Sequence, residues 1–312
     1  MLFLGNALKT LDLALFKGLK IQCCVTSPPY FGLRDYGNES QIGLEQTVEE
    51  YIDNLVKVFA KVRKIMADDG VLWVNIADSY AGSGKGRNAD GTSAAAKDSK
   101  QASNQGTVQG LIQKAGLQNG CKPKDLIGVP WLLAFALRAD GWYLRQDIIW
   151  NKPNAMPESV TDRCTKSHEY IFMLTKSKKY YFNNEAIKEP TTTYDSLTRD
   201  RDKTKLNNTA GKTKSQGLQR NNYEKRNKRS VWNVTTKPLK HAHFAAFPID
   251  LIEPCILASS RENDIVFDPF MGSGTTAIAA SLHGRKWAGC ELNEDYVKIM
   301  QQRLNKEFEV LK

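Results

Sequence analysis

Ser27-Pro28-Pro29-Tyr30 gathers in four residues the groups needed to act on an amino group conjugated with an aromatic ring. Such a nitrogen is a poor nucleophile because its lone pair is delocalised into the ring, and it must become more tetrahedral to attack. The Ser27 hydroxyl and the Pro28 carbonyl can accept the two amino hydrogens and favour that change. The prolines hold these acceptors rigidly, because each fixes φ. Tyr30 adds a flat face on which a base taken out of a duplex could stack. Pro-Pro before an aromatic is also a common turn, and these residues alone leave that reading open.

A second constellation is Asp268-Pro269-Phe270-Met271-Gly272-Ser273-Gly274-Thr275-Thr276, between an apolar strand and a helix. Gly272 and Gly274 let the backbone approach a ligand closely, and the start of the helix presents free amide groups. Glu291, at the end of the next strand, could accept both hydroxyls of a ribose. The pair implies a nucleoside-containing cofactor. Glycine turns of this kind also serve nicotinamide and flavin cofactors, and a ligand-free strand-to-helix turn is a further alternative.

These residues need elements to position them. Residues 2–24 read as a short strand, a helix and the buried strand that delivers Ser27. Val48, Ile52, Leu55, Val56, Phe59, Val62 and Met66 recur at helical spacing up to Gly70, where a left-handed cap is expected. Residues 71–76 form a strand apolar on both faces, the pattern of a parallel sheet covered by helices. Residues 81–124 are poor in large apolar residues and predict a mobile loop. A helix then starts at Pro130, strands are expected at 143–150 and 170–174, and a helix at 249–259 leads to a βαβα unit that carries the glycine turn and Glu291. The architecture is a doubly wound α/β sheet.

Composition limits what these motifs can mean. The 312 residues are 41% hydrophobic and 25% charged, an ordinary globular balance. No apolar run approaches bilayer length, and the first residues lack a signal-peptide cleavage pattern, so the expected location is the cytoplasm. Six cysteines show no metal spacing, and no metal is expected. Of the formal net charge of +10, residues 176–240 supply +11, from 17 Lys and Arg against 6 Asp and Glu. That segment could track a phosphate backbone or be a solvated basic linker.

Residues 26–30 together with 268–276 resemble the catalytic and cofactor motifs of amino DNA methyltransferases. Their order, with the catalytic motif first, then a basic segment, then the cofactor motif, resembles the permuted beta class. Residues 134–142, 147–152 and 168–176 are similar to the helix and two strands that follow in the family, with Trp150-Asn151-Lys152 in its usual place. Residues 243–251 resemble the segment that closes over the methionine part of the cofactor. The resemblance implies a mostly parallel, seven-stranded Rossmann-like sheet with an inserted target-recognition region. It divides the chain into a catalytic half (1–80, continued at 125–175), the loop 81–124, the recognition region 176–240 and a cofactor half (241–312).

The resemblance also implies S-adenosyl-L-methionine as cofactor and double-stranded DNA as partner, with a cognate restriction endonuclease a candidate partner. Asp268, Phe270, Gly272, Ser273, Gly274 and Thr275 would surround the methionyl part, Glu291 would take the ribose, and Ser27, Pro28, Pro29 and Tyr30 the target base. Asn6 stands where the family often has aspartate and would bond the adenine amino group. Arg34, Lys225, Arg226, Lys228 and Arg229 are candidate DNA contacts. Within the family the Ser-Pro-Pro-Tyr form is more frequent in enzymes that modify cytosine, so cytosine N4 is the expected target and adenine N6 the alternative.

Cys255 is expected to be a core residue and not a nucleophile, and His168 and Glu169 to be structural, since strand neighbours point to opposite faces. A dinucleotide-dependent oxidoreductase leaves Ser27 to Tyr30 unexplained, and a non-enzymatic nucleic-acid-binding protein has no use for both motifs. A protein-glutamine acceptor would call for Asn at position 27.

Overall fold

The computed structural model describes residues 1–12, 18–32, 38, 40–81, 120–191, 224–237 and 247–310. Arg34, most of the expected loop 81–124, much of the basic segment and residues 243–246 lie outside these. One sheet has the strand order β1-β10-β9-β2-β3-β5-β4-β8. Its strands are β1 (Leu2–Leu4), β2 (Ile21–Thr26), β3 (Met66–Ile76), β4 (Tyr143–Asn151), β5 (His168–Thr175), β8 (Val231–Asn233), β9 (Ile265–Asp268) and β10 (Lys286–Glu291); β6 (Glu189–Pro190) and β7 (Lys225–Arg226) form a separate hairpin. Among the described residues, the helices of eight residues or more are α2 (Val48–Ile65), α3 (Val129–Ala139), α4 (Ile249–Ser259), α5 (Thr275–Leu282) and α6 (Glu294–Val310), and a single turn, α1 (Ala7–Thr10), follows β1.

The sheet is parallel except where β5 runs against β3 and β4. It has eight strands rather than seven, because Val231–Asn233, from within the basic segment, pairs with the edge of β4. Trp232 on this short strand is buried, which explains why a polar stretch contributes a strand at all.

Alternation along β3 shows the double winding. Leu72, Val74 and Ile76 pack on one face with Tyr51, Leu55 and Phe59 of α2 and Leu133 and Leu137 of α3. Val71 and Trp73 pack on the other with Leu251, Ile252, Cys255 and Ile256 of α4 and Ala279 and Ala280 of α5. Period 2 sends neighbours to opposite faces, and helices cover both.

A capping box opens α2, with Thr47 accepting from Glu50 N and the Glu50 side chain bonding back. The helix stops earlier than its apolar spacing predicts. Met66 is already extended (φ −77°, ψ 141°), and Gly70 lies inside β3, not in a left-handed cap. A Cβ at Gly70 would stand 2.3 Å from Met66 Cγ, so this glycine serves close packing. No helix among the described residues is long and apolar enough to cross a membrane.

Because β2 leads through α2 to β3 on one side, while β9 leads through α5 to β10 on the other, the connections diverge between β2 and β9. A crevice outside the carboxyl ends of the strands is expected at such a point.

Candidate functional site

Both sequence motifs open into that crevice. A cleft of about 200 Å³ is lined by residues from the end of β2 (Ser27, Pro28, Pro29, Tyr30), the turn after β9 (Asp268 to Ser273, with Thr275), the end of β10 (Glu291) and the turn after β1 (Asn6). The walls include the aromatic side chains of Phe247, Phe270 and Tyr296.

Asp268 joins the two motifs. Its carboxylate accepts from Thr26 Oγ1 at 2.6 Å, Thr276 Oγ1 at 2.7 Å and Phe270 N at 2.9 Å. Burial pushes its pKa up to about 6, against the lowering effect of the two threonine hydroxyls. With this bonding it holds the turn in shape and ties β9 to β2.

In the turn itself Gly272 and Gly274 have φ of 54° and 82°, a region that disfavours side chains. A Cβ on Gly274 would also lie 2.2 Å from Met300 Cγ of α6. From the same helix Arg303 Nη1 donates to Ser273 O at 2.6 Å, Ser273 Oγ at 2.8 Å and Thr275 Oγ1 at 3.2 Å. The C-terminal helix therefore clamps the turn, a role for Met300 and Arg303 that sequence reading missed.

Glu291 faces the cleft with both oxygens engaged by backbone, Oε2 by Gly272 N at 2.6 Å and Oε1 by Asn293 N at 2.8 Å. With two lone pairs on each oxygen, the carboxylate keeps acceptor capacity for a further donor beside its backbone partners Gly272, Asn293 and Leu292. Burial raises this carboxyl above its ordinary pKa, and the backbone donors oppose the shift. Asn6 caps α1: its Oδ1 accepts from Leu8 N at 2.8 Å and its Nδ2 donates to Ser40 O at 2.6 Å. It reaches the cleft as a residue already doing a structural job.

The catalytic loop is pinned from behind. Tyr51 Oη of α2 donates to Pro29 O at 2.8 Å. Tyr30 Oη lies 2.6 Å from Glu169 Oε2, 3.2 Å from Asn75 Oδ1 and 3.3 Å from Ser27 Oγ. Asn75 Nδ2 donates to Glu169 Oε2 and to Tyr170 O, both at 3.1 Å, and Lys152 Nζ forms an ion pair with Glu169. Glu169 was expected to be structural, yet it contacts the catalytic motif. The readable signal was its phase: it alternates with Ile171 and Met173, so a carboxylate falls on a buried face and needs partners. His168 packs edge-on against Tyr170.

Cys255 is core, as expected; it is fully buried in α4, and burial pushes its thiol well above the usual range. Among the described residues no group of His, Cys, Asp and Glu could hold a metal.

Several candidate DNA contacts have partners within the protein. Arg226 Nε and Arg229 Nε both bond Glu189 Oε1 at 2.9 Å, and Lys228 Nζ sits 5.0 Å from the centre of the Trp232 ring. Of the run, Lys225 and Arg229 are exposed. The first described part of the basic segment is anchored at the sheet end away from the cleft, through Lys176 Nζ to Met66 O, Tyr181 N to Asp69 O and Asn183 N to Ala258 O. Sequence charge alone carries no position, which is why these lysines and arginines read as one surface. Arg34 lies outside the described residues.

The family model described as DNA methylase matches residues 21–302. The chain is 46% identical over 306 residues to the Type II methyltransferase M.Cfr9I of Citrobacter freundii, covering 98% of this chain and 88% of that protein. It is 46% identical over 299 residues to the Type II methyltransferase M.SmaI of Serratia marcescens, covering 96% and 87%. Among solved structures it resembles the PvuII DNA methyltransferase (cytosine-N4-specific), with TM-score 0.58, 17% identity and coverage of 96% and 84%. It also resembles the M1.HpyAVI–SAM complex, with TM-score 0.54, 18% identity and coverage of 98% of each chain.

Proposed function

Since this chain belongs to the DNA methylase family, with S-adenosyl-L-methionine as cofactor, we propose that it methylates the exocyclic N4 amino group of cytosine in double-stranded DNA by direct transfer to a flipped base. The observation that carries this reading is the convergence of Ser27-Pro28-Pro29-Tyr30 and the glycine turn on one cleft, through adjacent strands β2 and β9. An oxidoreductase reading explains only the second of these.

The residues present fit the cofactor. Glu291 keeps acceptor capacity facing the cleft for the ribose, and Asn6 lines the same cleft. A Cβ at Gly272 would meet only Phe270 O, at 3.9 Å, so the turn leaves open space. Phe270, Ser273 and Thr275 would border the methionyl part, with Gly274 behind them against Met300 and Asp268 keeping their turn in shape. When bound, S-adenosyl-L-methionine supplies a methyl group on a positively charged sulfur.

The protein's own part is to prepare the acceptor nitrogen. Ser27 Oγ and the Pro28 carbonyl accept the amino hydrogens, drawing the nitrogen toward tetrahedral geometry and freeing its lone pair from the ring. Tyr30 stacks the base, its ring held by the hydroxyl's bonds to the sheet. Pro29 cannot relax, because Tyr51 holds its carbonyl. No thiol is needed, and Cys255 is too deeply buried to provide one.

The preference for cytosine rests on Ser27, and the names of the relatives support a restriction-modification setting in the cytoplasm with a cognate endonuclease. DNA methylated by the purified protein, digested to nucleosides and weighed by mass spectrometry, tests the proposal. N4-methylcytosine is expected; N6-methyladenine overturns the choice of base, and 5-methylcytosine overturns the amino-group chemistry.

A further inference from the structure

The hydrogen-bond chain behind the catalytic loop has a fixed direction that its surroundings determine. Both amide hydrogens of Asn75 are spoken for, by Glu169 Oε2 and by Tyr170 O. Its Oδ1 therefore faces Tyr30 as an acceptor. Tyr30 thus has two acceptors beside its hydroxyl, Glu169 Oε2 at 2.6 Å and Asn75 Oδ1 at 3.2 Å, and a single proton to give. The shorter contact and the charge favour Glu169, since hydrogen bonds to an ionised acceptor are shorter and stronger. Lys152 Nζ pairs with the opposite oxygen of the same carboxylate. With the Tyr30 proton committed, the contact between Ser27 and Tyr30 at 3.3 Å can form in one way only: Ser27 donates.

We infer that Glu169 is a positioning residue for the reaction: by holding the Tyr30 proton it makes Tyr30 the acceptor of the Ser27 proton and leaves the Ser27 lone pairs open to the cleft for the amino hydrogens. A serine hydroxyl that pointed its own proton into the cleft would repel the hydrogens it has to accept. Burial first, and then the charge of Glu169, hold the Tyr30 phenol well above its ordinary pKa, so it stays protonated through the neutral range and the chain keeps its direction. Asn75 on β3, Glu169 on β5 and Lys152 just after β4 come from three neighbouring chain segments, so the sheet's pairing register sets the polarity of a hydroxyl at the carboxyl end of β2.

The inference rests on the proposed amino-group reading, and the experiment separates the two. Single-turnover methylation of unmethylated genomic DNA is measured with labelled S-adenosyl-L-methionine for the full chain, Tyr30→Phe, Glu169→Gln and the double variant, with cofactor affinity by calorimetry. Each single variant is expected to lose roughly 10- to 100-fold in rate, the loss of one charge-assisted bond, with cofactor affinity unchanged. The double variant is expected to be no slower than the slower single one, because both break the same chain. Losses that multiply, or a parallel loss of cofactor affinity, indicate a merely structural role and overturn the inference. So does full turnover in Tyr30→Phe, which decides the matter alone should Glu169→Gln fail to fold. If the full chain methylates a ring carbon, the amino-group reading itself falls; if it makes an amino-methylated base and the variants match it, only the role of Glu169 falls.

Discussion

Thr26 Oγ1 donates to Asp268 Oδ1 at 2.6 Å, joining the last residue of the strand that delivers the catalytic loop to the last residue of the strand that delivers the glycine turn. The two motifs are 242 residues apart in the chain. The bond is buried, and burial pushes the pKa of its acceptor up to about 6.

Stability should therefore depend on the ionisation of Asp268. Its folded pKa of about 6 lies above the ordinary 3.8. The stability it contributes is full below the lower value and is lost as pH rises through the upper one, on the order of 3 kcal/mol over the interval. Denaturant unfolding of the native chain and Asp268→Asn between pH 4 and 7 checks this. The native chain should lose ground to the variant as pH rises, and a difference independent of pH counts against the assignment.

At Gly274 two penalties coincide, a φ of 82° and the contact with Met300. Gly274→Ala should weaken cofactor binding by roughly 5- to 30-fold from the backbone alone, since left-handed backbone costs about 1–2 kcal/mol for a residue with a side chain. Adding Met300→Ala should recover only the steric part. Calorimetry of both variants reads the split, and full recovery would show that the backbone conformation carries no cost.

Glu291→Gln keeps the shape but replaces one acceptor oxygen with a donor beside the amides of Gly272 and Asn293. Loss of a charged acceptor costs about 1.5–3 kcal/mol, which is roughly 10- to 100-fold in cofactor affinity. DNA affinity in the absence of cofactor should not change. Equal cofactor affinity in the variant would exclude Glu291 from the ribose site.

Arg226 and Arg229 share the Glu189 carboxylate, so their replacement by alanine should destabilise the β6–β7 hairpin more than it weakens DNA binding. The slope of log affinity against log salt should stay nearly constant, whereas each lost phosphate contact would flatten it by about 0.9. Titrations at several salt concentrations distinguish the two outcomes.

Much of the local structure was readable. Ile249–Ser259 and Thr275–Leu282 form the helices that their apolar spacing and the preceding glycine turn predict, and both motifs sit at strand ends. The end of α2 was not readable, because Met66 continues the helical spacing while its backbone is already extended in β3. The charge of the basic segment was legible as a quantity, but not the pairing of Arg226 and Arg229 with Glu189, 37 and 40 residues away.

The sequence by itself determined that a rigid pair of acceptors ends one strand and a glycine turn ends another, because turn chemistry and side-chain period are written within a few residues. Only the tertiary structure decided that β2 lies beside β9 and β3 beside β5. Strand order follows from burying both faces of one sheet at once, a condition shared by the whole chain. That order is what brings Thr26 to Asp268, and Glu169 to the hydroxyl of Tyr30.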